Sequence, residues 1–125
     1  MRAYTVATAA ITLNVTRKWL DNTLSHHRID GVIQSRQGIS RRLSPQAVLT
    51  LHVALQLVQG LEIPLKRALV LARELSASGR AGGDGLSGGL SISLDIERSG
   101  AEVANRLAHA VEMTPVPRRG RPPIK

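Results

Sequence analysis

The chain has 125 residues, 42% of them apolar, and a formal charge of +8 at pH 7. That size and apolar content allow one domain with a modest core, and the absence of cysteine excludes disulfides and thiolate metal sites. Tyr4 and Trp19 are the only aromatics, which argues against binders of single strands or RNA that stack bases on exposed rings.

The charge is uneven. Residues 1–50 hold seven Lys/Arg against two acids, and residues 114–125 hold four against none, whereas residues 79–113 are net acidic. Positive potential near both ends of the sequence suits a polyanion. A soluble basic protein without such a partner is the plain alternative. The start, Met1-Arg2-Ala3, leads into a stretch that Thr5, Thr8, Thr12 and Asn14 interrupt, which makes a poor signal peptide. The most apolar region, 47–72, carries His52, Gln56, Gln59, Glu62, Lys66 and Arg67, so no membrane span is expected.

A first helix is predicted after Thr5 as cap, with Val6, Ala9, Ala10 and Leu13 at helical spacing. Leu13-Asn14-Val15-Thr16 then reads as a tight turn: Asn14 tolerates the left-handed conformation, and Thr16 caps the next helix. That helix is predicted over 17–27. Trp19, Leu20 and Leu24 would face the core, with Arg17, Lys18, Asp21, Asn22 and His26 outward. Two cations in its first turn oppose the helix dipole, so a function other than stability is expected of them. A phosphate partner fits.

A hairpin is predicted next, with arms at 29–33 and 39–43 and a tip at Arg36-Gln37-Gly38. On the return arm Ile39, Arg41 and Leu43 alternate with Ser40 and Arg42. Ser44-Pro45 starts a helix that should stop at Gly60, and Pro64 opens another to about residue 76. Both are apolar on more than one stripe, which calls for more than one partner. Burial within the monomer and a homodimer surface both satisfy that need. Residues 79–89 read as a glycine-rich linker. Alternation from Leu90 to Glu97 predicts a half-buried strand, paired with the hairpin or with its copy in a second subunit. A last helix is expected over 100–113.

Thr8-Ala9-Ala10, Leu13-Asn14-Val15-Thr16, Trp19-Leu20, Gly38 and Arg41-Arg42-Leu43-Ser44-Pro45 together resemble the winged helix-turn-helix of MerR-like and excisionase-like DNA-binding domains. The resemblance covers about a third of the chain. It implies a second helix in the major groove and a wing on the flanking backbone. Thr16, Arg17, Lys18, Asn22 and His26 would then face DNA, with Arg36, Arg41 and Arg42 on the wing. The chain departs from MerR-like proteins at Asp21-Asn22, where they usually have an arginine and an aromatic. It also lacks counterparts of their long dimerisation helix and effector domain, so metal or drug sensing is not carried over.

The residue chemistry agrees with this. Asn22 can pair bidentately with adenine and Arg17 with guanine, while Lys18, Arg36, Arg41 and Arg42 suit phosphates, which set position. The tail Pro117-Arg118-Arg119-Gly120-Arg121-Pro122-Pro123 resembles an AT-hook. Arg118, Arg119, Gly120, Arg121 and Pro122 would lie along an A·T minor groove. A basic tail that binds any phosphate chain is the simpler reading.

Gly83-Asp84-Gly85-Leu86-Ser87-Gly88 matches a dinucleotide-binding spacing, but a helix precedes it and a strand follows, the reverse of what that site needs. The four histidines have no metal-ligand spacing, and no nucleophile–base arrangement stands out. No enzyme, metal, cofactor or small-molecule ligand is expected.

The expected architecture is mainly α with a small β wing. A winged helix-turn-helix with a helical hairpin occupies 1–78, a linker 79–89, a strand-helix extension 90–113 and a basic tail 114–125. The expected protein is a homodimeric, cytoplasmic, nucleoid-associated regulator bound to double-stranded DNA. The alternatives are an architectural or recombination-directionality factor and, in another class, a protein-interaction adaptor or antitoxin-like module.

Overall fold

The computed structural model of the chain describes residues 3–33, 41–81 and 89–113. The fold is mainly helical with small antiparallel sheets. Strand β1 (Tyr4–Thr5) leads into α1 (Val6–Leu13) and α2 (Arg17–His26). Strands β2 (Val32–Ile33) and β3 (Arg42–Leu43) follow, then α3 (Pro45–Leu61) and α4 (Leu65–Ser78). Strands β4 (Arg80–Ala81) and β5 (Ile92–Ser93) precede the last helix, α5 (Ile96–Met113).

Local chemistry explains the first two helices. The Thr5 side chain accepts a bond from Thr8 N, and the Thr16 side chain accepts one from Trp19 N. Asn14 between them is left-handed, at φ 57° and ψ 45°, and its N–H donates back to Ala10 O and Ile11 O. The turn therefore satisfies carbonyls that α1 would otherwise leave open.

Strand β3 is the centre of a three-stranded sheet in the order β1-β3-β2, with Tyr4 and Val32 both opposite Leu43. Leu43 is fully buried and Arg42 is exposed, as period-two alternation requires. The sheet joins the chain's first residues to the root of the wing. Gly31 at that root has φ +92°, and its carbonyl accepts from Ser44 N at 2.9 Å. A Cβ at Gly31 would collide with Ser44 Oγ, the group that caps α3 by accepting from Ala47 N.

Helices α3 and α4 form the most extensive contact, and α5 lies across α1 and α3. Nearly every side chain of α3 from Ala47 to Leu55 is buried. Its several apolar stripes are thus covered within the chain, by α4, α1, α5 and β3. A polar bridge also ties α3 to α4: Thr50 Oγ1 and Ser76 Oγ lie 2.9 Å apart, and each hydroxyl also reaches a carbonyl one turn earlier. The sequence places the end of α3 at Gly60. Instead the helix runs to Leu61, and Glu62 takes the left-handed cap position at φ 56°.

The C-terminal third corrects two expectations. The strand predicted over 90–97 is formed only at Ile92–Ser93, and α5 begins at Ile96. Asp95 stops the strand by accepting from Arg98 N at 3.0 Å, the bond of a helix cap, and Glu97 in the first turn favours the dipole. The strand's partner within the chain is not the wing. It is Arg80–Ala81, from the segment read as linker, with Ala81 opposite Ile92. Gly79, left-handed at φ 81°, ends α4 and turns the chain into β4, and its carbonyl accepts from Leu94 N. Ala81 is accordingly buried. Among the described residues no helix is long and apolar enough to cross a membrane.

Candidate nucleic-acid interface

Helix α2 divides cleanly into two faces. Leu20, Thr23 and Leu24 are buried, and Trp19 is half-buried against the core. At 100° per residue the opposite arc holds Arg17, Asp21, Ser25, Lys18, Asn22 and His26. Arg17, Lys18, Asn22, Ser25 and His26 are exposed, and Asp21 is half-buried. Thr16, at the cap, is exposed as well. Four of the five residues assigned to DNA, Arg17, Lys18, Asn22 and His26, therefore share one solvent-facing side, and Thr16 is exposed at its N-terminal end.

The charge at the start of this helix runs against the helix dipole, as it also does in α4, whose first turn carries Lys66 and Arg67. The first turn of α2 holds no acid, and Arg17 and Lys18 make no ion pair among the described residues. Cations at a helix N-terminus are mildly unfavourable, whereas an anion there meets both the free N–H groups and the dipole. His26 closes the same face at the other end. Its Nδ1 lies 2.8 Å from Asn22 O, and because a carbonyl only accepts, Nδ1 carries the proton. Nε2 remains available to a partner.

Of the wing, its base is described. Arg42 is exposed on the outer face of β3. Arg41 behaves differently. It lies on Leu43's side of the strand direction, toward the helices, and its guanidinium reaches α2: Nη2 donates to Ser25 Oγ at 3.2 Å and Nη1 is 3.8 Å from Asp21 Oδ1. A polar groove lies beside this contact, lined by Ser25, His26, Arg28, Gly31 and Arg41. Arg36 and the hairpin tip at 36–38 lie outside the described residues, as do the tail residues Arg118, Arg119, Gly120, Arg121 and Pro122 and the glycine motif at 83–88.

Two features near the site escaped the sequence reading. Gly31 had no visible reason to be glycine until Ser44 was placed against it. His52, with no local signal, sits buried under α5, its Nε2 without a hydrogen-bond partner among the described residues. Burial holds its imidazole below the ordinary value of 6.5; Glu102 opposes that effect and Arg106 adds to it. No group of histidine, aspartate and glutamate among the described residues could hold a metal ion. In comparisons with known proteins the chain matches no family model, no curated protein and no solved structure.

Proposed function

We propose that the chain is a sequence-specific double-stranded DNA-binding protein, a transcriptional regulator that lays α2 in the major groove. One observation carries this reading: the exposed side of α2 gathers Arg17, Lys18, Asn22 and His26 below the Thr16 cap, and its two first-turn cations have no ion pair among the described residues, where helix electrostatics alone would favour acids. A phosphate at the capped N-terminus makes that arrangement favourable. Arg17 can give two donors to a guanine edge, and Asn22 a donor and an acceptor to an adenine edge. Lys18, Arg36 and Arg42 would hold the backbone and set register, and the tail at 118–122 would follow a neighbouring minor groove. One short helix reads few base pairs, so a homodimer on two half-sites, about 34 Å apart or a multiple of that, completes the proposal. Nucleoid association in the cytoplasm follows from the same reading.

Gel shifts test it. Wild-type protein should retard duplex DNA, and affinity should fall about a thousandfold between roughly 50 and 200 mM salt if about six phosphates are neutralised. The double variant Arg17→Ala/Lys18→Ala should bind far more weakly. Unchanged retardation by that variant would remove α2 from the interface.

A further inference from the structure

We propose that Arg41 is a positioning residue of this face: it braces the wing against α2 and offsets the charge of Asp21, and it is not one of the phosphate contacts. The inference rests on reading α2 as the recognition helix.

The two adjacent arginines of the wing base occupy opposite environments. Arg42 points outward from β3 and is exposed, whereas the Arg41 side chain is only 24% exposed. Strand alternation is the cause, since Arg41 shares the side of buried Leu43. Its planar fork is divided between two groups one helical turn apart, Ser25 Oγ and the Asp21 carboxylate. Ser25 is itself fixed, because its hydroxyl donates to Asp21 O at 2.9 Å. These two contacts aim the guanidinium at α2, whereas Arg42 next to it faces solvent.

Asp21 explains why such a brace is needed. It lies on the exposed arc of α2, one turn after Arg17, with its side chain 49% exposed. A bare negative charge there would repel the sugar-phosphate backbone. Arg41 opposes it locally, leaving the outer cations to set the potential. The pair is partly solvated, so its worth lies in placement more than in stability. Lysine could not replace it, since a point charge on a flexible stem cannot hold both partners in a fixed fork.

A double-mutant cycle on duplex affinity tests the assignment, with salt dependence measured for each protein. Arg41→Ala should weaken binding about tenfold in the wild-type background and no more than about twofold when Asp21→Asn is already present. The slope of log affinity against log salt should stay the same, because no phosphate contact is lost. Lys18→Ala, as the control, should flatten that slope by about 0.9. The brace is overturned if Arg41→Ala flattens the slope by about 0.9 and costs the same in both backgrounds, which is the behaviour of a phosphate contact. It is equally overturned if Arg41→Ala leaves affinity unchanged. Failure of the wild-type protein to bind any duplex would instead sink the reading of α2, and the brace is then decided on the protein alone. Amide hydrogen exchange at Val32, Ile33, Arg42 and Leu43 should accelerate in both Arg41→Ala and Arg41→Lys, and unaltered exchange would overturn it.

Discussion

Helices α2 and α5 flank the same helix, α1, and their starts differ in charge: Arg17 and Lys18 in α2, against Glu97 balanced by Arg98 behind the Asp95 cap in α5. Both are amphipathic, and each has a side-chain oxygen bonded to a backbone N–H at its start: Thr16 to Trp19 N, Asp95 to Arg98 N. Helix α5 follows with Glu97, the charge that a helix N-terminus favours. Helix α2 follows with Arg17 and Lys18. Packing does not explain the difference, since both bury a continuous apolar stripe. Helix α5 has the electrostatics of an element selected for stability, and α2 departs from it on the side left open to solvent. Helix α4 shares that departure through Lys66 and Arg67, so the case for α2 rests on the cations together with the exposed Asn22 and His26 on the same arc.

The largest expected effects test whether the two helices are equal in packing. Leu20→Ala on α2 and Leu107→Ala on α5 remove deeply buried side chains, and each should lower unfolding stability by about 2–5 kcal/mol in denaturant melts. A cost well below that for Leu20 alone would mean that α2 is loosely held, and the comparison would break. Gly31→Ala should cost about 2–3 kcal/mol, because it adds a Cβ at positive φ against the hydroxyl that caps α3. Little change there would separate the wing root from the scaffold.

A pH effect probes the underside of α5. Burial disfavours the charged form of His52 in the fold, whereas the unfolded chain takes up a proton as pH falls through about 6.5. The contribution of His52 is therefore complete above that pH and is lost as pH drops from 6.5 toward the depressed folded value. Thermal melts of wild type should show this loss, and His52→Leu should be flatter over the same window. Identical profiles would mean that α5 does not seal this histidine.

The smallest effects sharpen the comparison most. Arg17→Glu should raise stability by about 0.3–1 kcal/mol while weakening duplex binding, whereas Glu97→Lys should lower stability by a similar amount and leave binding intact. A stability loss in Arg17→Glu would show that its charge already has a partner within the fold.

Much of α1 and α2 was legible in the sequence because their signals are local. Thr5, Thr16 and Ser44 cap within three residues, Asn14 turns on its own backbone, and Leu20 and Leu24 mark a face by spacing alone. What was not legible depends on distant partners or on competition between neighbouring local signals. The alternation around Ile92 and Leu94 was visible, but its match with Arg80–Ala81 spans a glycine-rich segment. Asp95 as a cap outweighed the alternation that continued through Glu97. Alternation put Arg41 and Arg42 on opposite faces, but that Arg41 meets Ser25 and Asp21 depends on the facing helix and was not legible. Gly60 resembled a helix stop, yet the turn fell at Glu62, where Leu57 O receives the cap N–H.

Titrating duplex DNA into isotopically labelled protein, with backbone amide shifts recorded residue by residue, tests the α2 assignment most directly. The account predicts the largest changes at residues 16–26 and at Arg42, with α4 and α5 little altered. Changes centred on α4 or α5, with Arg17, Lys18 and Asn22 unmoved, would contradict it.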